Sequence, residues 1–418
     1  MSVDVTTLPN GMRVVTDRMD SVETVALGAW VGVGTRHETA DVNGISHLLE
    51  HMAFKGTGRR SALKIAEEMD NVGGHLNAYT SRDHTAYFAK VLKDDTALAV
   101  DIISDILLNS TMDEEELDRE RQVIVQEISQ VNDTPDDIVF DHFQSVAYPG
   151  QPMGWPVLGS EANVRSIAPD RLKAYLAEHY AADNMVVAAS GAVDHDRFVA
   201  LIETAFADLR RTANVVPVPA RYAGGERREK RKLDQIHVVL GFPGVTHDDP
   251  SFYDVAALSV LMGEGMSSRL FQEIREKRGL AYAVFSSTQS FADTGLFQIY
   301  TGTGPAEIKT LIPVLCGEVK KAAGTITSDE VRRAKAQLKS SILMSLESPS
   351  SRCTQRARQL VVYGRTLTTQ EIVEKIETIS VMGITAAAAS IFAGTPTLAA
   401  IGKLDRLPEL SAIRRQLQ

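Results

Sequence analysis

The chain is organised around one short segment, Gly44-Ile45-Ser46-His47-Leu48-Leu49-Glu50-His51-Met52-Ala53-Phe54. Residues three and four apart share one face of an α-helix, so His47 and His51 should project side by side, with Glu50 on the same side. Two imidazoles spaced i and i+4 suit two ligand positions of a zinc ion. A carboxylate three residues after the first His can reach a water molecule on that metal. The pattern therefore predicts a metal-binding helix over residues 44–54.

The alternative interpretation is an amphipathic helix that happens to carry two His residues on a polar face. Leu48, Leu49, Met52 and Phe54 make the segment apolar, so the His and Glu side chains are expected to be at least partly buried. Burying such groups without a partner is costly. A third ligand elsewhere in the chain would favour the metal interpretation.

A second helix, predicted over Asp113 to Val131, offers candidates for that ligand. Thr111 followed by Glu114 resembles a capping box at its start. Its apolar stripe consists of four residues at helical spacing, Leu117, Ile124, Ile128 and Val131. Glu120 and Glu127 lie within this stripe, seven residues apart.

Two carboxylates on a core-facing stripe need a cation or strong hydrogen-bond donors. Glu127 as the third metal ligand, with Glu120 supporting the ligands from outside, would meet that need. Alternatively both pair with Arg or Lys, although the neighbouring Arg119 and Arg121 should point elsewhere on the helix. The spacing alone leaves open which Glu binds the metal.

These motifs resemble the zinc peptidases of the pitrilysin and mitochondrial-processing-peptidase family, which carry the inverted H-x-x-E-H zincin pattern. Besides His47-x-x-Glu50-His51, four segments carry the resemblance: Gly-Thr-Arg-His-Glu at 34–38, His-Met-Ala-Phe-Lys-Gly-Thr at 51–57, Asn-Ala-Tyr-Thr-Ser-Arg at 77–82, and Glu120-Arg121-x5-Glu127-Ile128. The resemblance covers essentially the whole chain. The length is similar to that of the short, processing-peptidase-type bacterial branch.

The resemblance implies a role for each residue of the motif. His47, His51 and Glu127 would hold one Zn²⁺ per chain, Glu50 would be the general base, and Glu120 would be a supporting acid. It also implies an α+β fold of two homologous domains. Each would be a mostly antiparallel sheet packed with helices, and together they would form a clam-shell.

Composition and charge limit the class of protein. A hydrophobic content of 44% and a charged content of 23% fit a soluble globular protein. No run of eighteen apolar residues occurs, so no membrane span is expected. A net charge of −10 argues against nucleic-acid binding and is compatible with basic peptide substrates.

The cysteines and the N-terminal segment bear on the compartment. Cys316 and Cys353 do not make a disulfide framework and are expected to be reduced. The segment Met1 to Gly11 has no basic start followed by an apolar region, and it is not an Arg-rich presequence. A cytoplasmic location is therefore the expectation.

Two strand-like runs follow the metal helix, His75 to Thr80 and His84 to Lys90. They alternate polar and apolar residues, as an antiparallel hairpin does. In the family that the chain resembles, the strand carrying Asn77 and Ala78 is an edge that binds the substrate backbone by β-augmentation. The residue types alone indicate only an ordinary edge strand. The His residues that open the two runs are expected to be structural.

Residues 214–233 combine Pro, Gly and dense charge, which is typical of a linker. The run could be a nucleic-acid patch, but its interleaved Glu residues and the absence of aromatics after Tyr222 favour a solvated connector. This interpretation divides the chain into three parts. Residues 1–213 would be the zinc-bearing catalytic domain, and residues 234–418 a homologous domain without a metal motif that binds or encloses substrate.

The second half repeats signals of the first. Leu27-Gly28 has a counterpart in Leu240-Gly241, and Thr111-x-x-Glu114 has one in Thr327-x-x-Glu330, at offsets of 213 and 216 residues. The order of predicted elements between these echoes also agrees, which indicates an internal duplication.

The duplication provides an internal control for the metal motif. Shifted by these offsets, the five polar positions of the first half fall on Val260, Gly263, Glu264, Ala336 and Leu343. The copy therefore has no metal constellation, and its long-helix stripe is expected to be ordinary core. Because the second copy lacks them, the fold itself does not require the five polar residues of the first half, and a functional site explains them better than packing does.

Residues of the second half are also candidates for substrate binding. The segment Gly263 to Leu270 resembles a shortened form of the family's glycine-rich loop, although a helix start explains it equally well. Arg275 and Tyr282 resemble a pair that reaches the peptide from the second domain, where either could stabilise an oxyanion. The alternative is a surface Arg and a buried Tyr.

The sequence thus predicts a zinc metalloendopeptidase that hydrolyses peptides or unfolded, presequence-like segments. A homodimer is expected, with a homologous partner subunit as the alternative. The rival hypothesis is a non-catalytic or partner-dependent subunit of a processing-peptidase-like or core-protein-like complex. Such relatives typically lose part of the zinc motif, whereas all four positions are intact here. The same ligands can also hold manganese or cobalt.

Overall fold

The computed structural model describes residues 3–213 and 216–418. The strands in these ranges are β1 (Val3–Thr7), β2 (Arg13–Arg18), β3 (Thr24–Val31), β4 (His75–Thr80), β5 (Thr85–Leu92), β6 (Met185–Gly191), β7 (Gly225–Lys230), β8 (Ile236–Pro243), β9 (Ala281–Ser290), β10 (Gly295–Thr303) and β11 (Thr397–Gly402). The helices of the first half are α1 (Ile45–Ala53), α2 (Ala62–Asn71), α3 (Thr96–Leu108), α4 (Glu114–Asn132), α5 (Pro135–Ala147), α6 (Glu161–Ser166), α7 (Pro169–His179) and α8 (His195–Ala205). Those of the second half are α9 (Phe252–Gly263), α10 (Ile308–Thr325), α11 (Ser328–Ser345), α12 (Pro349–Tyr363), α13 (Thr369–Thr378), α14 (Val381–Phe392) and α15 (Leu410–Leu417).

These elements form two compact α+β units, each with one sheet. The six strands of the first sheet are ordered β1-β2-β6-β3-β5-β4, and the five strands of the second are ordered β7-β11-β8-β10-β9. Neighbouring strands are antiparallel except β2 with β6 and β7 with β11, which are parallel. The predicted fold class, mostly antiparallel sheets packed with helices, is confirmed.

The predicted duplication is visible in the strand order. We set β1 aside and number the other five strands of each sheet along the chain. Both sheets then have the spatial order first, fifth, second, fourth, third, and in both the first and fifth strands are the parallel pair. The two halves of the chain therefore share one topology.

The compact units do not follow the predicted domain boundaries. Unit 1 takes the described residues of 1–129, 155–218 and 344–367, and unit 2 takes 130–154, 219–343 and 368–418. Helix α5 thus belongs to unit 2, where it packs on β7, β8 and β11, and α12 belongs to unit 1, where it packs on β2, β3 and β6. Each sheet is covered by a helix encoded in the other half of the chain.

The prediction of a linker over residues 214–233 is also partly wrong. Residues 225–230 form β7, an edge strand that pairs in parallel with β11, and residues 214–215 lie outside the described residues. Its charges are engaged in ion pairs, such as Arg228 with Glu226 at 2.9 Å and Lys230 with Asp405 at 3.0 Å. Charged side chains on an edge strand oppose unwanted pairing with other strands. The dense charge thus marks an edge strand rather than a solvated connector.

Buried ion pairs hold α12 on the first sheet. Asp17 of β2 is fully buried and receives Nη1 of Arg352 at 3.0 Å and Nε of Arg356 at 2.8 Å. Arg13 donates to the carbonyl of Leu360 at 2.7 Å. A buried carboxylate needs such partners, and its two arginines lie one helical turn apart on α12. This register fixes the helix against the strand.

The metal-helix candidate lies on the opposite face of the first sheet. A single apolar core there combines residues of α1, α3, α4 and β3, among them Leu48, Met52, Ile106, Leu117, Ile124 and Leu27. Leu117 and Ile124 are buried, and Ile128 packs against the same core, as the predicted stripe requires. Val131 instead packs against a core of unit 2. Shared burial therefore brings α1 and α4 together.

The caps of the two long helices correct the repeat offset. Thr111 does not cap α4, because the carboxylate of Asp113 accepts the N–H groups of Glu115 at 3.0 Å and Glu116 at 3.2 Å. The predicted capping box is present only in the second half, where Thr327 and Glu330 exchange hydrogen bonds. Counting from cap to cap, 327 − 113, gives an offset of 214 rather than 216 residues.

Within the described ranges no single helix is both long and apolar enough to cross a membrane, and only α13 with α14, bent by 83° at their junction, pass that test of length and composition as a pair.

Candidate metal centre

Three side chains of unit 1 converge as the sequence predicts. His47 and His51 project from α1, and Glu127 projects from α4. Nε2 of each His lies 3.7 Å from Oε2 of Glu127, and the three ligand atoms lie within 4.8 Å of one another. Four-coordinate zinc, with bonds of about 2.0–2.2 Å, separates its ligand atoms by roughly 3.3–3.6 Å. The three residues therefore fit a zinc ion with small side-chain adjustments.

A buried carboxylate starts the helix that carries both His residues. Glu38 accepts the N–H groups of Gly44 at 2.8 Å and Ser46 at 2.9 Å, and the side-chain amide of Asn43 at 2.9 Å. Gly44 has φ 101°, and a Cβ there would lie 2.9 Å from Cα of Gly159, so only glycine fits. Burial raises the pKa of Glu38, while the donated hydrogen bonds oppose the shift. Glu38 lies in the segment 34–38, but no local pattern in the sequence predicts this capping role.

Glu120 contacts His51 from outside the group of three converging side chains. Its Oε2 accepts from Nδ1 of His51 at 2.9 Å, and its Oε1 lies 2.7 Å from Nζ of Lys55. Burial raises its pKa, but the hydrogen bonds from His51 and Lys55 outweigh that effect and the pKa is lowered. A carboxylate on the second nitrogen of a ligating His fixes the tautomer that leaves Nε2 free for the metal. Glu127 is therefore the carboxylate that faces both Nε2 atoms and suits the third ligand position, a choice that the sequence spacing had left open.

Two alternatives were predicted for Glu120, support of a metal ligand or an ion pair with Arg or Lys, and the structure combines them. The carboxylate of Glu120 contacts both His51 and a cation, and that cation is Lys55, which was not among the residues predicted from the sequence. Arg119 and Arg121 point elsewhere, as expected, and form ion pairs with Glu116 and Asp118. The only signal for Lys55 was its place in the segment 51–57.

The two ligand imidazoles differ in their surroundings. Burial and the neighbouring His51 lower the pKa of His47 to about 3, so this ring is neutral and its lone pair is available. Burial also acts to lower the pKa of His51, but the hydrogen bond to Glu120 and the charges of Glu127 and Glu50 outweigh it and raise that pKa. The ring centroids lie 4.6 Å apart at an interplanar angle of 61°. Their second nitrogens differ as well, because Nδ1 of His47 is buried without a hydrogen-bond partner among the described residues.

Glu50 is linked to the neighbouring edge strand. Its Oε2 accepts a 2.5 Å hydrogen bond from the hydroxyl of Thr80, the last residue of β4. Burial raises the pKa of Glu50, while the hydrogen bond from Thr80 acts in the opposite direction. A carboxylate with a raised pKa beside a metal site is suited to exchange protons. Thr80 is a second residue near the site that no sequence pattern predicts to contact Glu50.

Strand β4 forms one edge of the first sheet in the described part of the chain, as predicted for Asn77 and Ala78. It pairs with β5 from His75 to Thr80. The side-chain oxygen of Asn77 accepts the N–H of Ala78 at 2.8 Å. His75 is exposed on this strand, and His84 bonds the hydroxyl of Tyr79 at 2.9 Å. Neither of these two His residues joins the group of three ligands, in agreement with the prediction.

The candidates of the second half belong to unit 2. The guanidinium of Arg275 lies 4.8 Å from the ring centroid of Tyr282 and 4.7 Å from that of Phe271, in cation–π geometry. The structure therefore brings Arg275 and Tyr282 together. Tyr282 is 78% exposed, so the alternative interpretation of a buried Tyr is wrong.

The glycine-containing segment has a packing explanation in unit 2. A Cβ at Gly263 would lie 2.2 Å from the backbone nitrogen of Ser286 in β9. Glu264 accepts a hydrogen bond from Ser259 at 2.9 Å, and Gly265 has φ 81°. Close approach to a strand therefore accounts for the first glycine and a left-handed turn for the second.

The structure corrects which residues of the second half correspond to Glu120 and Glu127. Ala336 and Leu343 are exposed, so the expectation that they are core residues is wrong. With the corrected offset of 214, Glu120 corresponds to Ala334, which is buried, and Glu127 corresponds to Ser341, which is exposed. Among the described residues, only His47, His51 and Glu127 form a group suited to a metal ion. The same fold is thus built once with the polar cluster and once without it.

Two neighbouring helices that contribute His, Glu, His and a distant Glu define an inverted zincin-type metal centre. Comparison with known proteins gives the family. Residues 13–161 match the family model described as Insulinase (Peptidase family M16), and residues 166–338 match the model described as Peptidase M16 inactive domain. The chain belongs to the M16 insulinase family.

Relatives match over nearly the full length. An uncharacterized zinc protease of Rickettsia felis is 39% identical over 403 residues, covering 96% of this chain and 98% of that protein. The uncharacterized zinc protease YmxG of Bacillus subtilis is 36% identical over 406 residues, covering 96% and 98%.

Solved structures show the same fold. A protease from Helicobacter pylori has a TM-score of 0.88 at 24% identity, covering 96% of this chain and 99% of that chain. A chain of Complex III2 from Candida albicans, with Inz-5 bound, has a TM-score of 0.88 at 23% identity, covering 100% of both chains. At these identities the likeness concerns the fold alone.

Proposed function

We propose that this chain is a zinc-dependent endopeptidase that hydrolyses peptides or unfolded, presequence-like segments. The observation that carries the proposal is the complete constellation of His47, Glu50, His51 and Glu127, supported from outside by Glu120. The relatives named zinc proteases support the same chemistry. A subunit that had lost catalysis would not need a base beside a full set of metal ligands.

The residues present suggest a division of labour. Zinc held by the two His residues and Glu127 would act as a Lewis acid that polarises the scissile carbonyl and acidifies a water molecule. Glu50 takes the proton of the attacking water and returns it to the leaving amine. Thr80 holds one oxygen of Glu50 by its 2.5 Å hydrogen bond and leaves the other oxygen for proton transfer. Burial, which raises the pKa of Glu50, improves its ability to hold that proton between the two steps.

The peptide is proposed to bind as an additional strand beside β4, at Asn77 and Ala78. An edge strand offers backbone donors and acceptors only to an extended partner, which explains the proposed preference for unfolded segments. The Asn77 side chain, which now accepts the N–H of Ala78, would turn away when a peptide takes that donor. Thr80, at the end of the same strand, connects bound peptide to the base.

Other features remain predictions that support the proposal less directly. Arg275 and Tyr282 are predicted to contact the peptide and stabilise the oxyanion, which kinetic analysis of Arg275→Ala and Tyr282→Phe would test. The homodimer is predicted, and sedimentation of the purified chain tests it. The cytoplasmic location is likewise a prediction, tested by fractionation of cells that produce the protein.

Cleavage of a mixed set of unfolded peptides, followed by mass spectrometry, tests the function. Wild type and Glu50→Gln are each supplied with zinc, and Glu67→Gln serves as a matched control because Glu67 is an exposed residue of α2. Wild type and the control should cut internal peptide bonds. The Glu50 variant should be slower by roughly a thousandfold or more, since loss of a general base removes much of the proton transfer.

Zinc content decides between the proposal and its rival. If both the wild type and the Glu50 variant bind one zinc and neither cuts, the chain is a partner-dependent or structural subunit. If the Glu50 variant cuts as fast as wild type, the assigned base is wrong.

A further inference from the structure

Lys55 connects to a metal ligand through one carboxylate. Its ammonium lies 2.7 Å from Oε1 of Glu120, while Oε2 of the same carboxylate accepts from Nδ1 of His51 at 2.9 Å. The side chain of Glu120 is only 7% exposed, so water has little access to either oxygen. The carboxylate is therefore held at both ends, by the ligand imidazole on one side and by Lys55 on the other.

The backbone around Lys55 is fixed independently of the metal centre. Thr57 donates to Asp105 of α3 at 2.7 Å, and Arg60 forms an ion pair with the same buried carboxylate at 2.8 Å. The carbonyl of Gly56 accepts the N–H of Thr111 at 3.0 Å, just before the start of α4. The segment that presents Lys55 is thus tied both to α3 and to the approach of the helix that carries Glu120.

We infer that Lys55 is a positioning residue of the metal centre, which holds the Glu120 carboxylate so that His51 presents Nε2 rather than Nδ1 to the metal. The benefit of this positioning for catalysis rests on the proposed function, whereas the contacts among Lys55, Glu120 and His51 do not depend on it. A carboxylate bound only at Oε2 can rotate about its last side-chain bond, because nothing would then hold Oε1. Rotation would release the ring of His51 and allow Glu120 to compete with Glu127 for the ion.

Zinc affinity of the metal-free chain is the first test. Lys55→Met keeps the aliphatic stem and removes the charge, Lys55→Arg restores a cation, and Lys64→Met on α2 is a matched control whose ammonium lies 3.9 Å from Glu68. Competition with a chelating indicator measures each variant. Outer-shell partners typically contribute 10–100-fold to metal affinity, so Lys55→Met should bind zinc about tenfold more weakly. The Arg variant should recover most of that loss, and the control should match wild type.

A second readout separates positioning from general stability. Imidazole ¹⁵N spectra of the metal-free protein, recorded at a pH where His51 is neutral, report which ring nitrogen carries the proton. Wild type, Lys55→Arg and Lys64→Met should show Nδ1–H on His51, and Lys55→Met should show a mixture of tautomers. Thermal unfolding of the same samples identifies a loss of stability that a purely structural role would produce.

The possible outcomes are distinct. Unchanged zinc affinity and an unchanged His51 tautomer in Lys55→Met would overturn the inference, as would an equal loss in Lys64→Met. If wild type takes up no zinc at all, the proposed function fails, and the metal-free spectra alone decide the role of Lys55.

Discussion

Apart from β1, the two units share one strand order, but within the described chain only unit 1 holds a group of His and Glu side chains suited to a metal ion. The clearest difference lies between the long helices α4 and α11. At matched positions, α4 buries Glu120 where α11 buries Ala334, and α4 presents Glu127 where α11 presents Ser341. The fold is therefore compatible with an alanine and a serine, and the carboxylates of α4 are explained by what they bind.

The beginnings of the helices differ in the same way. Helix α1 starts at a left-handed Gly44 under the buried carboxylate of Glu38. Helix α9 starts after Ser251, whose side chain makes no capping hydrogen bond. A fully buried acid is an unfavourable way to cap a helix unless the position of that helix has to be fixed. Unit 1 accordingly holds its metal helix in place at both ends, by Glu38 and by the contacts around Lys55.

The largest effect is expected from removing the carboxylate ligand. Glu127→Ala should weaken zinc binding roughly a thousandfold or more, about 4 kcal/mol, because one of three protein ligands is lost. Ser341→Ala, at the matched position of α11, should leave zinc affinity unchanged. Competition with a chelating indicator measures both. Affinity within tenfold of wild type in the Glu127 variant would show that Glu127 is not a ligand.

The reverse experiment introduces the acid into unit 2. Ala334 is 1% exposed, so Ala334→Glu buries a carboxylate without the His and Lys that surround Glu120, and should destabilise the protein by about 3 kcal/mol. The exposed neighbour Ala336 provides the control, because Ala336→Glu should change stability by no more than about 0.5 kcal/mol. Urea unfolding measures both variants. Equal stability of the two would mean that unit 2 can accommodate the acid as readily as unit 1.

A smaller effect is expected at the helix caps. Thr327→Ala removes the cap of α11 and should reduce stability by about 1 kcal/mol, whereas Thr111→Ala removes no cap and should cost a few tenths. Asp113→Ala, which removes the cap of α4, should match the Thr327 variant. Thermal unfolding of the three variants measures the difference. A larger loss in Thr111→Ala than in Asp113→Ala would restore the capping box predicted from the sequence.

The smallest effect is a change in pH dependence at Glu38. Burial raises its pKa in the folded protein, so the contribution of this group to stability is full below the unfolded pKa and is lost as the pH rises through the folded pKa. Wild type should therefore lose stability relative to Glu38→Gln as the pH rises through that range. Unfolding midpoints of both proteins, recorded from about pH 4 to pH 8, measure the difference, with Glu67→Gln as the control that should parallel wild type. Parallel profiles for Glu38→Gln and wild type would contradict a raised pKa.

Much of the metal centre could be predicted because its residues are local. His47, Glu50 and His51 lie within two turns of one helix, and Glu120 and Glu127 lie two turns apart on another, so helical periodicity alone places each set on one face. The hairpin of β4 and β5 also followed from alternation and a short turn, whereas the edge position of β4 was implied by the family resemblance. What periodicity could not supply was the contact between the two helices, which determines which Glu meets Nδ1 and which meets Nε2.

The failures have physical causes of the same kind. Lys55 and Thr80 act through a single contact with a residue distant in sequence, and no local pattern marks such a contact. Strand β7 was missed because its charges resemble a solvated linker, although cross-strand hydrogen bonds with β11 hold it in the sheet. The exchange of α5 and α12 between the units was missed because connectivity along the chain was taken for proximity in space.

That exchange affects how the protein is made. The first sheet keeps one face bare until α12 is added, and α12 ends at Tyr363 of a 418-residue chain. A nascent chain long enough to contain every zinc ligand therefore still lacks the helix whose arginines neutralise Asp17. Because domains fold as units, unit 1 can be completed only after α12, at Pro349–Tyr363, has been synthesised. A fragment that ends at residue 213 would contain the complete metal motif but would lack the apolar side chains of α12 that cover its sheet, so we expect it to aggregate.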